Sequence, residues 1–346
     1  MQNQEDDVLF KTYKNAGIIT LNRPKSLNAL NLSIVNKLLR QLQDWENTKT
    51  AVIIKGAGDK AFCAGGDLKE NKFETLRFIS TEYNVNYLIG HYKIPYIAFM
   101  NGITMGGGMG LSVHGRYRIA TEKTVIAMPE TKIGLFPDVG GTYFLSRLNG
   151  NLGIYLGLTS ERLKGGDVLK AGIATHYVNS SRLSDLEEKL SGCTNTDEIS
   201  RVLDEFNERT GEFSLTPYLQ HIDYCFAADT VEVIIERLKT VNNEWSIKTL
   251  QVLYKMCPAS LKITLLALRL GAKLNLGECL RMEYRMTSRA STTYDLREGI
   301  RALLIDKDNN PKWNPRTISE VTEDYVQSFF EILPEQKELV FFKSKL

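Results

Sequence analysis

The first half of the chain alternates short apolar runs with longer segments of helical period. "AGIITLNR" (16–23), "AVIIKGAG" (51–58) and "PYIAFMNG" (95–102) are β-branched or apolar runs that each close in turn residues, and each predicts a strand. Between them, "NLSIVNKLLRQLQDWEN" (31–47) repeats apolar residues at helical spacing, with Asn31 and Ser33 available as caps. "ETLRFISTEYNVNYLIGHY" (74–92) predicts a further helix. Strands alternating with helices predict an α/β architecture whose function sits in loops at strand ends. From about residue 183 the pattern turns mostly helical, and Thr230–Thr240 and Ala259–Lys273 are its clearest amphipathic segments. A proline-punctuated loop, "DKDNNPKWNPR" (306–316), and a last helix end the chain. The expected division is a core over 1–200 and a mostly helical region over 201–346, with no internal repeat or long flexible linker.

Composition narrows the function classes. The 346 residues carry 43 basic and 41 acidic side chains, a net charge of +2, which is no footprint for duplex nucleic acid. No nucleic-acid partner is therefore expected. Cys63, Cys193, Cys225, Cys257 and Cys279 are scattered, odd in number and free of CxxC spacing, so neither a disulfide framework nor zinc is expected. The histidines form no ligand pattern, and no metal or other cofactor is expected. No run approaches the roughly eighteen apolar residues of a membrane span, so no membrane partner is expected either. The start, "MQNQEDDVLF", is acidic and has the features of neither a signal peptide nor an Arg-rich presequence. At the other end, Ser344-Lys345-Leu346 matches the tripeptide read by the peroxisomal import receptor, which predicts the peroxisomal matrix.

Candidate chemistry gathers in three stretches. In "MPETKIGLFPDVGG" (128–141), Glu130 and Asp138 stand among apolar or small residues, where acids are seldom buried unless paired or put to use. Gly134 and Pro137 rule out one continuous helix, so the segment reads as a turn, a bend and a helix opening near Val139. Two readings stand at this level. Asp138 caps that helix and Glu130 is a surface acid, or both do chemistry. "KAFCAGGDL" (60–68) and "NGITMGGGMGLS" (101–112) each follow a strand and lead towards a helix. Two such glycine-rich loops converging would aim two backbone N–H groups at one oxygen, an oxyanion hole. Ordinary tight turns are the alternative. Neither stretch fits GxGxxG in a βαβ unit or GxxxxGK[ST], which sets nucleotide binding aside.

Together with "LKGGDVLKAGIATHYV" (163–178), "SLKIT" (260–264), "MEYR" (282–285) and "EGIRALLIDKDNNPKW" (298–313), these stretches resemble the crotonase (enoyl-CoA hydratase/isomerase) superfamily from about residue 8 to about 320. The resemblance implies a spiral of repeated ββα units followed by a helical C-terminal region. It also implies an acyl-CoA substrate whose thioester carbonyl is held between two backbone N–H groups, here Ala64 and Gly107. Hydratases of the superfamily carry a catalytic glutamate two places after the triple glycine; this chain has Gly110 there and has gained Asp138 where they carry glycine. A hydrolase branch shares the Glu130/Asp138 combination. That branch implies hydrolysis of 3-hydroxyisobutyryl-CoA, a valine-catabolic intermediate, with 3-hydroxypropionyl-CoA as a second substrate. Glu130 would attack directly or activate water, and Asp138 would orient the 3-hydroxyl or the water. Glu82, in "TEYNVNYLI", matches an acid that helps define the branch's acyl pocket; an exposed helix acid is its other reading. Cys63 is expected to pack rather than react, since no histidine motif accompanies it. The rival readings are a hydratase or isomerase, and an RNA-binding protein on the same scaffold. Homo-oligomerisation stays open, and mitochondria, home of the branch's close relatives, are the alternative compartment.

Overall fold

Near-continuous apolar runs make the strands at 16–21, 51–56 and 96–100 of the larger sheet, as expected where both faces are covered. The computed structural model describes residues 6–67 and 75–342; Ser344-Lys345-Leu346, which carries the peroxisomal expectation, lies outside the described residues. The strands in chain order are β1 (Val8–Tyr13), β2 (Ala16–Leu21), β3 (Ala51–Gly56), β4 (Ala61–Cys63), β5 (Tyr96–Met100), β6 (Ile103–Met105), β7 (Tyr117–Ala120), β8 (Val125–Ala127), β9 (Leu163–Lys164) and β10 (His176–Tyr177). They form a six-stranded sheet in the order β1-β2-β3-β5-β7-β10 and a four-stranded sheet in the order β4-β6-β8-β9. Apart from the antiparallel β1–β2 edge, the larger sheet is parallel.

Contacts divide the chain into two units: Met1–Ile126 with Leu163–Phe213 and Phe341–Leu346, and Ala127–Arg162 with Ser214–Val340. In the first unit the chain winds as repeated ββα turns. β3, β4 and helix α2 (Thr75–Gly90) make one turn, and β5, β6 and helix α3 (Gly107–Val113) the next. In each turn the first strand joins the larger sheet and the second joins the smaller. The register aligns Ile18 with Ile53 and Ile53 with Ile97, so one face presents a row of apolar side chains. Leu186 and Leu190, with Leu203 and Phe206, bury that row from the helices Leu183–Gly192 and Thr196–Phe206. The helix expected at 31–47 is α1 (Leu32–Trp45), capped by Asn31, whose side chain accepts the Ile34 N–H.

The second unit is helical, with helices at Val231–Val241, Pro258–Gly271, Leu276–Ala290 and Tyr294–Ile300. Phe136, Cys257, Ile263, Met282, Met286 and Trp313 belong to one of its cores. The linear boundary expected at residue 200 falls inside the helix Thr196–Phe206, and the contact units interleave along the chain. Residues 127–162 fall with the C-terminal helices because Phe136 finds its apolar neighbours there. Among the described residues, no helix is long and apolar enough to cross a membrane.

Candidate active site

In the first unit, β4 and β6 pair in parallel, so the two glycine-rich loops leave the sheet side by side. The first loop is stitched to residues 27–30. The Ala64 N–H donates to Leu27 O at 3.0 Å, the Leu30 N–H to Gly65 O at 2.8 Å, and the Asp67 N–H to Leu30 O at 2.7 Å. Ala64, expected as an oxyanion donor, thus has its N–H engaged by the fold. The Gly66 N–H takes no part in this stitching. It also lies beside the second loop: a Cβ built on Gly107 would stand 3.4 Å from the Gly66 nitrogen. Gly66 and Gly107 are therefore the neighbouring backbone N–H groups, and Gly107 opens α3, where N–H groups have no intrahelical partner.

Glycine is required here by close approach. A Cβ on Gly108 would collide with the Cys63 carbonyl, and one on Gly107 with Glu82 Oε1. Glu82 lies on α2 and is 2% exposed, so the reading of it as an exposed helix acid does not hold. Burial, with a smaller contribution from Glu82's charge, pushes the Cys63 thiol up to about 12. A thiol held protonated at neutral pH packs rather than attacks. Gly110 is buried within α3 and brings no carboxylate.

The second unit carries the two acids of the opening motif. Glu130 heads a 3-10 turn, Glu130–Ile133, and is 5% exposed. That turn is pinned from both sides. The Cys257 N–H donates to Thr131 O at 3.1 Å. Gly134, which ends the turn in the left-handed region, lies so close to Asp295 that a Cβ would fall 2.5 Å from its carbonyl oxygen. Asp138 is 7% exposed, so neither acid is a surface group.

The backbone after Asp138 is strained. Val139 has φ +52° and Gly140 φ +81°. A left-handed β-branched residue costs about 1–3 kcal/mol and persists only where its surroundings over-determine it. The helix expected near Val139 opens two residues later, as Gly141–Phe144, and its cap is Gly140 with no capping side chain. The cap position is thus held by Gly140 and not by Asp138. Glu283, from the helix Leu276–Ala290, takes the helix's leading donors instead. It accepts the Gly140 N–H at 2.7 Å, the Thr142 N–H at 2.9 Å and the Thr142 hydroxyl at 2.6 Å.

Glu283 was not singled out from the sequence beyond its place in "MEYR", although a signal was present. Cys279, Leu280, Glu283, Met286 and Ala290 recur at helical spacing, which sets the acid on the buried face. Gly66 had no such signal, because the acceptor that engages the Ala64 N–H is Leu27 O, which only the fold brings near. Among the described residues, no group of three or more His, Cys, Asp or Glu side chains could hold a metal ion.

A sequence profile for enoyl-CoA hydratase/isomerase matches residues 16–330. The curated 3-hydroxyisobutyryl-CoA hydrolase, mitochondrial, of Xenopus tropicalis is 49% identical over 334 residues, 92% of this chain and 87% of its own. Its counterpart in Homo sapiens is 47% identical over 345 residues, 95% of this chain and 89% of its own. Among solved structures, a carnitinyl-CoA dehydratase from Mycobacterium thermoresistibile superposes with TM-score 0.91 at 37% identity, covering 97% of this chain and 99% of that one. An enoyl-CoA hydratase from Rhodobacter sphaeroides does so with TM-score 0.89 at 36% identity, covering 97% and 100%.

Proposed function

We propose that this chain, which belongs to the enoyl-CoA hydratase/isomerase family, hydrolyses 3-hydroxyisobutyryl-CoA to 3-hydroxyisobutyrate and free CoA. The observation that carries the reading is the pair of acids. Glu130 and Asp138 are both buried in one unit, Asp138 on a strained bend, while α3 has only glycine where the hydratases have their second glutamate. Two relatives whose names state this hydrolysis share nearly half their residues with the chain.

In this reading, the Glu130 carboxylate supplies the attack on the thioester carbon, directly or through a water it deprotonates. The C–S bond breaks, CoA leaves as its thiol, and water supplies the oxygen and protons of the acid and thiol. The Gly66 and Gly107 N–H groups hold the oxyanion that forms, a contribution of about 3–4 kcal/mol per donor to the barrier. Asp138 orients the 3-hydroxyl or the water, and Glu82 bounds the acyl group. 3-Hydroxypropionyl-CoA, which lacks one methyl group, is the second substrate.

The test is release of CoA, followed with a thiol reagent, set beside hydration of crotonyl-CoA. Wild-type protein should release CoA from 3-hydroxyisobutyryl-CoA and hydrate crotonyl-CoA poorly. Glu130→Gln should lower turnover by at least about a hundredfold. Efficient hydration without CoA release would favour the activity in the name of the Rhodobacter sphaeroides protein, and an active, folded Glu130→Gln protein would remove the mechanism.

The compartment separates two readings. Mitochondria are supported by the names of the relatives, the peroxisome by Ser344-Lys345-Leu346 alone. An N-terminally tagged protein whose organelle signal survives deletion of Leu346 supports the first; one released to the cytosol by that deletion supports the second.

A further inference from the structure

We propose that Glu283 is the positioning residue for Asp138, acting as a cap supplied from another helix; this rests on the reading that Asp138 serves the reaction. The helix Gly141–Phe144 is four residues long and has no capping side chain of its own. Its leading donors, the Gly140 and Thr142 N–H groups, both point to the Glu283 carboxyl, and the Thr142 hydroxyl joins them. One carboxyl thus holds two backbone positions that flank Gly141, whose own N–H donates back to Asp138 O at 2.7 Å. The segment from Asp138 to Thr142 is fixed as a single frame.

Val139 shows why such a frame is needed. A free chain would leave a left-handed valine quickly, and the turn of φ would swing the Asp138 side chain away. Glu283 can resist this because it is itself enclosed. It is 0% exposed, and its helix begins with a reciprocal capping box between Asn275 and Glu278. Glu283 does not reach the substrate in this account. It acts by holding Asp138 in its productive direction, and misplacement by about 1 Å can cost a hundredfold in rate.

The test is a double-mutant cycle on turnover of 3-hydroxyisobutyryl-CoA, with thermal unfolding measured for every variant. Glu283→Gln keeps the shape but turns an amide nitrogen towards one of the backbone donors. It should lower kcat by about ten- to a hundredfold and change KM by less than about twofold. In an Asp138→Asn background the same change should lower the remaining kcat by less than about twofold, because the group it positions is already gone. An equal fold-loss in both backgrounds, or an unchanged kcat in folded Glu283→Gln, would overturn the proposal alone. Full activity in Asp138→Asn would overturn the role of Asp138 and the proposal with it. If Glu283→Gln does not fold, Thr142→Val and Thr142→Ser decide, since valine removes the hydroxyl donor and serine keeps it. Valine should reproduce the background-dependent loss and serine should restore kcat; equal losses from both would overturn the proposal.

Discussion

A methyl group added at Gly107 and one added at Gly108 meet obstacles of different kinds. At Gly108 the obstacle is the Cys63 carbonyl, which belongs to β4 and cannot give way without moving the strand. Gly108→Ala should therefore destabilise the protein by about 1–3 kcal/mol, visible as a lower Tm. At Gly107 the obstacles are the ends of two side chains, Glu82 Oε1 and Leu30 Cδ1, both of which can turn aside. Gly107→Ala should fold with a near-normal Tm and lose roughly a hundredfold in kcat, because the methyl group displaces Glu82 and crowds the N–H. The opposite order, an unstable Gly107→Ala and a stable, inactive Gly108→Ala, would show that the two loops pack otherwise. Both stretches were legible as glycine-rich loops after strands, with an oxyanion hole and ordinary tight turns as the two readings. Which N–H was available was not legible, because it turns on Leu27 O, far from Ala64 in the chain, accepting the Ala64 N–H.

At the scale of the element, the helix Leu276–Ala290 introduces a titration into the core. Burial pushes the Glu283 carboxyl up to about 8, the hydrogen bonds from Thr142 and Gly140 oppose the rise, and the charge of Asp138 adds to it. The folded protein then binds a proton on Glu283 that the unfolded chain releases near the ordinary glutamate value of about 4.3. Where the folded state holds more protons, stability falls as pH rises, so this contribution declines between about pH 4.3 and 8. Asp295 is raised as well, chiefly by burial, and adds a decline of the same sign. The titratable neighbours are Asp138, and Cys279 one turn earlier, whose thiol burial pushes up to about 11. Glu283→Gln should flatten part of the decline while leaving that of Asp295, read as urea midpoints from pH 5 to 8. Parallel profiles for wild type and variant would refute the assignment. For this stretch the sequence showed only the mostly helical pattern beyond residue 183, and the acid's partners lie 141 and 143 residues away in the chain.

At the scale of the molecule, residues 127–162 belong to the unit formed with 214–340. A chain cut after residue 200 keeps Phe136 but removes Cys257, Ile263, Met282, Met286 and Trp313 from its core. The cut also ends the helix Thr196–Phe206 before Leu203 and Phe206, which cover the larger sheet. We expect the 1–200 fragment to aggregate or to bind a hydrophobic dye, and a cooperative unfolding transition in that fragment would contradict the interleaved units. The alternation of strand and helix patterns was enough to give the α/β class, since a short β-branched run or a period of three to four is visible within a dozen residues. It could not show that two sheets share the ββα turns, because β4 and β6 are three residues long and sit inside glycine-rich stretches.

By itself the sequence predicted strands within 51–58 and 95–102, a helix within 31–47 with Asn31 and Ser33 as candidate caps, and two acids set among apolar or small residues. Each of these depends on side chains within one or two turns of the residue concerned, so each is written locally. Tertiary structure alone decided that Ala64 gives its N–H to Leu27, that Glu283 holds Gly140 and Thr142, and that Phe136 packs with the C-terminal helices. The reason is common to all of them. Buried polar and apolar groups must find partners, local pattern shows only that a partner is needed, and the fold chooses which one.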